Sequence, residues 1–287
     1  MSNIPQEQGS PSWIAFRKNI IGASDVSAIL GINPWTSRYD LWQQKMGLVD
    51  VIENEAMRRG KSYEAIARTE FNNLIGKKTN PKVVQHPSYE WLVSSLDGIS
   101  DDGDLIVEIK VPGAQTHSKA QEGIIEPHYN AQMQCQMACT GLKHCHFWSY
   151  NGTAGALVVV NRDDSFIADM LTKCEEFYRV NMLGFECPEL DLERDYFNAS
   201  NDSEWTRLEA LYQDACVMIE DLTKKKDSIR NEMIEKAGGW NVKGVSTRLT
   251  KVVSRGRIDY SKIEALKEIN LEPYRSPSTS TWRITKS

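Results

Sequence analysis

The chain has 287 residues and a mass of 32.6 kDa, with 40% hydrophobic and 25% charged residues. That is room for one large domain and an appendage, in the balance of an ordinary globular protein. No run of about 18 apolar residues occurs, which excludes a membrane-spanning helix, and six cysteines over this length do not make a disulfide scaffold. Met1 to Ser12 is polar, without a basic flank or an apolar core, so the expectation is a cytoplasmic, reduced protein with no secretory signal. The formal charge of −5 is uneven: Leu222 to Ser287 holds 15 Lys+Arg and 7 Asp+Glu, a net of +8, which leaves −13 on the rest. A basic tail on an acidic body is a footprint of polyanion binding and equally of a solvated helix face.

In chain order, Trp13 to Met46 reads as helical, turning at Gly31-Ile32-Asn33-Pro34-Trp35 where Pro34 interrupts the pattern. Glu55 to Leu74 reads as an amphipathic helix, with Ala56, Ala67, Phe71 and Leu74 at helical spacing and Gly76 after the last turn. Val83-Val84 and Trp91-Leu92-Val93 read as short strands. A turn at Asp101-Asp102-Gly103 leads into a buried central strand, Leu105 to Lys110, stopped by Pro112-Gly113. A helix through Tyr129 to Thr140 ends at Gly141. Phe147 to Tyr150 and Ala156 to Val160 read as a hairpin around Asn151-Gly152, and a further helix covers Asp164 to Leu183. The loop containing Pro188 marks a boundary, giving domains 1–187 and 188–287. The second opens with a long helix, Ser203 to Lys236, whose Trp205, Leu208, Tyr212, Ala215, Ile219, Leu222, Ile229 and Met233 keep a/d spacing with one break at Lys226. Such a helix is an arm of a helical hairpin or a short coiled coil. A strand pair around Ser254 to Arg257 and a closing helix near Tyr260 to Ile269 complete the expectation.

The chemistry concentrates where Asp97, in a turn after a strand, precedes Glu108-Ile109-Lys110 on the next strand. Residues i and i+2 of a strand share a face, so Glu108 and Lys110 project together while Ile109 enters the core. Two hard carboxylates beside an ammonium suit Mg2+ and phosphodiester hydrolysis. Alone the pattern is weak, since charged hairpins are common. Glu64 on the preceding helix, and Gln132 and Gln134 on the following one, place further polar groups on elements flanking the acid pair, as a shared cleft requires.

In this setting Asp97…Glu108-x-Lys110 with an upstream helical Glu64 resembles the PD-(D/E)xK nuclease superfamily, and within it the lambda-exonuclease and YqaJ-type viral recombinase family. The matching pieces run in order over roughly residues 10 to 187: Trp13-x3-Arg17-x6-Ser24, Gly60-Lys61-x-Tyr63-Glu64-x2-Ala67-Arg68-Thr69, Ser95-x-Asp97-Gly98, Glu108-x-Lys110-x-Pro112 and Tyr129-x-Ala131-Gln132-x-Gln134. The resemblance implies an α/β fold with a mixed central sheet flanked by helices; the last hundred residues lie outside it, and there the sequence pattern gives a C-terminal helical arm and a small α+β appendage. It implies that Asp97, Glu108 and the Ile109 carbonyl ligate Mg2+ (Mn2+ substituting), that Glu64 acts through water, and that Lys110 orients or activates the attacking water. Gln132 would stand beside the active site, and Arg17 and Ser24 would bind a 5'-phosphate, chemistry that a guanidinium fork and a hydroxyl suit. A second arginine of the family pattern has no counterpart; Thr116 stands at its offset and Lys119 is the nearest cation.

The implied activity is 5'-to-3' digestion of double-stranded DNA ends, leaving 3' overhangs for a single-strand annealing protein in phage-type recombination, by a ring-shaped trimer. A structure-specific or restriction-like DNA endonuclease on the same fold, and a non-catalytic DNA-binding adaptor, are the rival readings. Several residues also have plainer readings. Arg17 reads as a surface ion pair, Ser24-Asp25 as a helix N-cap, and Trp35, Tyr39 and Trp42 as core. The basic residues Lys243, Arg248, Lys251, Arg255 and Arg257 suit DNA, an acidic partner or self-association. His144-Cys145-His146 lacks a second pair at zinc spacing, and an iron–sulfur cluster lacks its upstream cysteine.

Overall fold

A computed structural model describes residues 10–50, 55–253, 256 and 262–263. Residues Met1–Asn198 and Ala199–Ser287 form two compact units. The division falls after Asn198 rather than Cys187, and the intervening segment is tied back to the first unit where Arg194 Nη2 donates to the Asn33 carbonyl at 2.9 Å. Among the described residues no helix is long and apolar enough to cross a membrane.

The first unit is a six-stranded mixed sheet flanked by helices. Helix α1 (Pro11–Lys18), capped by the Ser10 hydroxyl, is followed by a two-residue strand β1 (Ile21–Gly22), a 3-10 turn over Ala23–Asp25, the short α2 (Val26–Ile29) and α3 (Arg38–Lys45). The expected helical stretch from Trp13 to Met46 is thus broken by a strand, because Ile21 and Gly22 pair in parallel with Leu92 and Val93. Helix α4 (Glu55–Ile75) stops at Gly76, whose φ of +66° is left-handed. Its Ala67 and Phe71 are buried as expected; Leu74 is exposed.

Strands β2 (Thr79–Gln85), β3 (Leu92–Ser100) and β4 (Ile106–Lys110) form an antiparallel meander. Two helices, α5 (Ala114–Gln121) and α6 (Pro127–Thr140), then carry the chain across to β5 (His144–Tyr150), which pairs in parallel with β4. Such a crossover needs a dozen or more residues, and α5 and α6 supply them. Strand β6 (Gly155–Asn161) closes a hairpin with β5, and α7 (Asp164–Glu176) runs into a π-helical turn over Phe177–Leu183. The turn between β5 and β6 spans Asn151 to Ala154, where the Asn151 side chain accepts from the Thr153 and Ala154 amides.

The alternation of β4 sets the layers. Val107 and Ile109 pack with Ala67 and Phe71 of α4 on one face, while Ile106 packs with Met133 and Met137 of α6 on the other. Glu108 therefore emerges on the α6 face.

The second unit contains α8 (Ser203–Ala237) and a small hairpin of β7 (Val242–Lys243) with β8 (Arg248–Leu249). The hairpin lies upstream of the strand pair expected around Ser254 to Arg257. That expected pair, Arg255 and Arg257 among it, and the helix near Tyr260 to Ile269 lie outside the described residues, apart from Gly256, Lys262 and Ile263. Lys243, Arg248 and Lys251 are exposed.

Candidate active site

Asp97 does not sit in a turn after a strand; it is inside β3. What aims it is a bulge. Between the pairs Asn80↔Ile99 and Lys82↔Leu96 the register advances by two on β2, at Pro81, and by three on β3. Proline cannot donate to the ladder, and an extra residue on the opposed strand re-aims the side chains around it. Leu96 and Ile99 both reach the α6-side core as a result, and Asp97 turns to the mouth of the sheet, where its Oδ2 accepts the Ile109 amide at 2.8 Å. Gly98 next to it is obligatory, since a Cβ there would stand 2.5 Å from Thr79 Oγ1 and 2.7 Å from Val107 Cγ1.

Glu108 is fully buried, with Oε1 2.5 Å from Lys110 Nζ and Oε2 accepting from Gln136 Nε2 on α6. Lys110 Nζ also lies 5.5 Å from the centre of the Tyr129 ring, a cation–π contact. Burial draws the Lys110 proton affinity down, but Glu108 and then Asp97 outweigh it, and the net shift is upward. Glu108 and Asp97 thus favour the protonated form of Lys110. Asp97 shifts the other way from most carboxylates: burial, and then the adjacent Glu108, push it well above the usual range, with Glu64 adding to the push.

A buried and a half-buried acid that oppose each other's ionisation, opposite one lysine, are short of positive charge. A hard divalent cation such as Mg2+ fits that deficit and the oxygen donors present. Among the described residues no group of three or more His, Cys, Asp or Glu side chains is arranged to hold a metal, so two carboxylates are the protein's side-chain offer. At Ile109 the backbone group seen in the site is its amide, which holds Asp97.

Glu64 stands apart from this pair. On α4 it is half-exposed and bound by Arg68 four residues on, whose Nε also donates to the Asp97 carbonyl at 2.6 Å. Arg68 thereby ties α4 to the strand that carries Asp97.

One cavity of about 230 Å³ gathers Asp97, Glu108, Lys110 and Gln132 together with Trp13, Arg17, Ala23, Ser24 and Ser95. Gln134 is not part of it; it is turned to the far side, donating to the Asn161 carbonyl and accepting from the Asp163 amide. Gln136 is the polar residue of α6 that reaches Glu108, and it was legible as the residue one turn after Gln132 on the same helix face.

Arg17 does pair with an acid, but a buried one. Its Nη2 lies 2.7 Å from Asp25 Oδ1 and 3.4 Å from Ser24 Oγ. Asp25 Oδ2 accepts from Lys45 Nζ at 2.6 Å and from the Gly22 amide at 2.8 Å. Lys45 Nζ, itself buried, also donates to the Arg17 and Ile20 carbonyls at 2.8 Å. Asp25 makes no side-chain cap for α2; it is the hub that orients Arg17. Burial pushes the Asp25 carboxyl up, yet Arg17, Lys45 and the hydrogen bonds bring it to about 2. Burial takes Lys45 down to about 8 against the pull of Asp25. Gly22 makes room for the guanidinium, because a Cβ there would stand 1.4 Å from Arg17 Nη1. Lys119, the cation nearest the offset of the family's second arginine, pairs with Glu126 at 2.9 Å.

With this geometry in place the chain's relatives become informative. Residues 12–143 match the family model of the YqaJ-like viral recombinase domain. The uncharacterized protein YqaJ of Bacillus subtilis (strain 168) is 32% identical over 193 residues, 64% of this chain and 60% of that protein; the match thus spans under two thirds of that relative. An alkaline exonuclease (LHK-Exo) from Laribacter hongkongensis superposes with a TM-score of 0.53 at 28% identity, over 61% of this chain and 96% of its own. The same exonuclease in complex with dAMP gives 0.54 at 29% identity, over the same shares.

Proposed function

We propose that the protein, whose residues 12–143 match the family model of the YqaJ-like viral recombinase domain, is a Mg2+-dependent exonuclease that digests double-stranded DNA from 5'-phosphorylated ends, leaving 3' single-stranded tails for an annealing protein. The observation that carries this reading is the single cavity in which Arg17 and Ser24 stand beside Asp97, Glu108 and Lys110. A phosphate anchor next to the hydrolytic group measures a short step from a chain end, which an endonuclease does not need. The likeness to an alkaline exonuclease supports the same class.

In this reading Arg17 and Ser24 hold the terminal phosphate by charge-assisted hydrogen bonds, with Asp25 and Lys45 keeping the guanidinium in place. Asp97 and Glu108 hold the cation, and Mg2+ when bound supplies the positive charge that polarises the scissile phosphate and acidifies the attacking water. Lys110, with Nζ 2.5 Å from Glu108 Oε1, would orient or activate the attacking water and offset the negative charge that develops on the phosphate. Gln136 fixes the Glu108 carboxylate, and Gln132 lines the path between anchor and acids.

Digestion of a linear duplex labelled separately at its 5' and 3' ends, in Mg2+ and beside a closed circular plasmid, tests the proposal. Early release of the 5' label with an intact circle is expected. Nicking of the circle would favour the endonuclease, and DNA binding without any cleavage would favour the adaptor.

A further inference from the structure

Trp35 departs from its expected place in the core. It is 70% exposed, whereas Tyr39 and Trp42 stack on each other and Trp42 Nε1 donates to the Asn181 carbonyl. An exposed tryptophan on a loose loop would mean little, but this loop is pinned. The Asn33 side chain accepts from the Trp35 and Thr36 amides at 2.9 Å, its Nδ2 donates to Ser27 Oγ, and its carbonyl accepts from Arg194. The ring does not stand alone either. Trp35 meets His128 edge-on at 5.0 Å, His128 meets Tyr129 at 4.0 Å, and Tyr129 carries the Lys110 ammonium over its face. An unbroken aromatic row thus runs from the catalytic lysine to an open indole.

We infer that Trp35, backed by the buried His128 ring and by Tyr129, is a stacking ledge for an unpaired nucleobase adjoining the scissile phosphate. The inference rests on the nuclease reading above and adds a subsite to it. Stacking on an aromatic face is sequence-tolerant, because every base has a π-face. It suits an enzyme that must accept any end sequence.

The test uses a 5'-phosphorylated duplex with 2-aminopurine at its terminal positions. In Ca2+, binding to the wild-type protein should quench the probe, and Trp35→Ala should remove the quench and weaken binding about tenfold, with Trp35→Phe restoring most of both. In Mg2+, Trp35→Ala should raise KM far more than it lowers kcat. A wild-type protein that cuts DNA while Trp35→Ala keeps quench and KM would overturn the ledge alone. A wild-type protein that neither binds nor cuts would bring down the ledge and the nuclease reading together.

The second unit carries an independent inference. Helix α8 is 35 residues long, and among the described residues nothing buries it: Leu208, Ile219, Leu222 and Ile229 of its a/d seam are exposed. Its ends are self-contained: Asp202 accepts from the Glu204 and Trp205 amides, and Gly238 closes it with φ +55°. We propose that α8 pairs antiparallel with α8 of a second copy of this chain. A parallel pair in register would set Lys226 against Lys226 inside the seam. The antiparallel register that joins Ile219 to Leu222 sets each Lys226 against the small Ala215 and brings Glu209 beside Arg230, so shape and charge both choose it.

In that register Cys216 faces Thr223 of the second copy. A Thr223→Cys variant, with Cys187→Ser to remove the other exposed thiol, should give a cross-linked dimer of the full chain on oxidation. Ile219→Asp with Leu222→Asp should halve the mass of the assembly in light scattering. No cross-link, or an unchanged mass, would contradict the pairing.

Discussion

Two charge assemblies share one cavity and are built on opposite principles. Around Asp97 and Glu108 negative charge is in excess: the two acids share one lysine, and Asp97 is pushed well above the usual carboxylate range. Around Asp25 positive charge is in excess: one buried acid serves Arg17 and Lys45 and sits at about 2. The first assembly lacks a cation and the second has one to spare. Burial raises the proton affinity of both acids, and only the surrounding charges decide the outcome. A site short of positive charge suits a metal ion, and a site with a surplus suits a phosphate.

The contrast breaks most sharply at Glu108. Glu108→Ala should lower cleavage by about 10³-fold or more while duplex binding in Ca2+ persists, as a rate assay and a binding isotherm would show together. Unchanged cleavage would remove the acid pair from the chemistry.

Asp25→Asn attacks the other assembly at its hub and leaves Lys45 buried without its counter-charge. A loss of about 3–5 kcal/mol in denaturant unfolding is expected. The pH dependence has a defined sign. Asp25 is depressed to about 2 from an ordinary value of 3.8, so its contribution is fully present above about pH 4 and is lost as pH falls toward 2. The variant should lack that acid limb, which unfolding followed between pH 5 and 2 would reveal.

Arg17→Gln keeps the acid pair and removes the anchor. The preference for 5'-phosphorylated over 5'-hydroxyl ends should fall by about 10- to 100-fold, measured as a ratio of kcat/KM. Gly22→Ala should act in the same direction and more weakly, about tenfold, because the new methyl displaces a guanidinium that still bears its charge. If Gly22→Ala leaves end preference intact, the seating of Arg17 against Gly22 has no functional weight.

Much of this arrangement was legible in the sequence, and the gaps have physical causes. Alternation along a strand put Glu108 and Lys110 on one face, and both line the cavity. The helix spacing of α4 identified Ala67 and Phe71, whereas Leu74 followed the same period and is exposed. The bulge at Asp97 escaped because it exists only relative to β2, and pairing register is not a property of either strand alone. Strand β1 escaped because two residues carry no period. Asp25 looked like a cap because Ser-Asp before a helix usually is one; its partner Lys45 is twenty residues away and meets it only in the fold. Gln134 and Gln136 lie on opposite sides of α6: Gln134 bonds Asn161 and Asp163, whereas Gln136, one turn after Gln132, reaches Glu108.

One cavity joins Arg17 and Ser24 to the acid pair Asp97 and Glu108, and the proposed exonuclease needs both. The most direct measurement is the product and rate from a linear duplex carrying a 5'-phosphate at one end and a 5'-hydroxyl at the other, in Mg2+. The account predicts mononucleotides released from the phosphorylated end well ahead of the other, and equal slow rates from both ends in Arg17→Gln. Equal rates from both ends in the wild-type protein, or oligonucleotides cut from the interior, would contradict it.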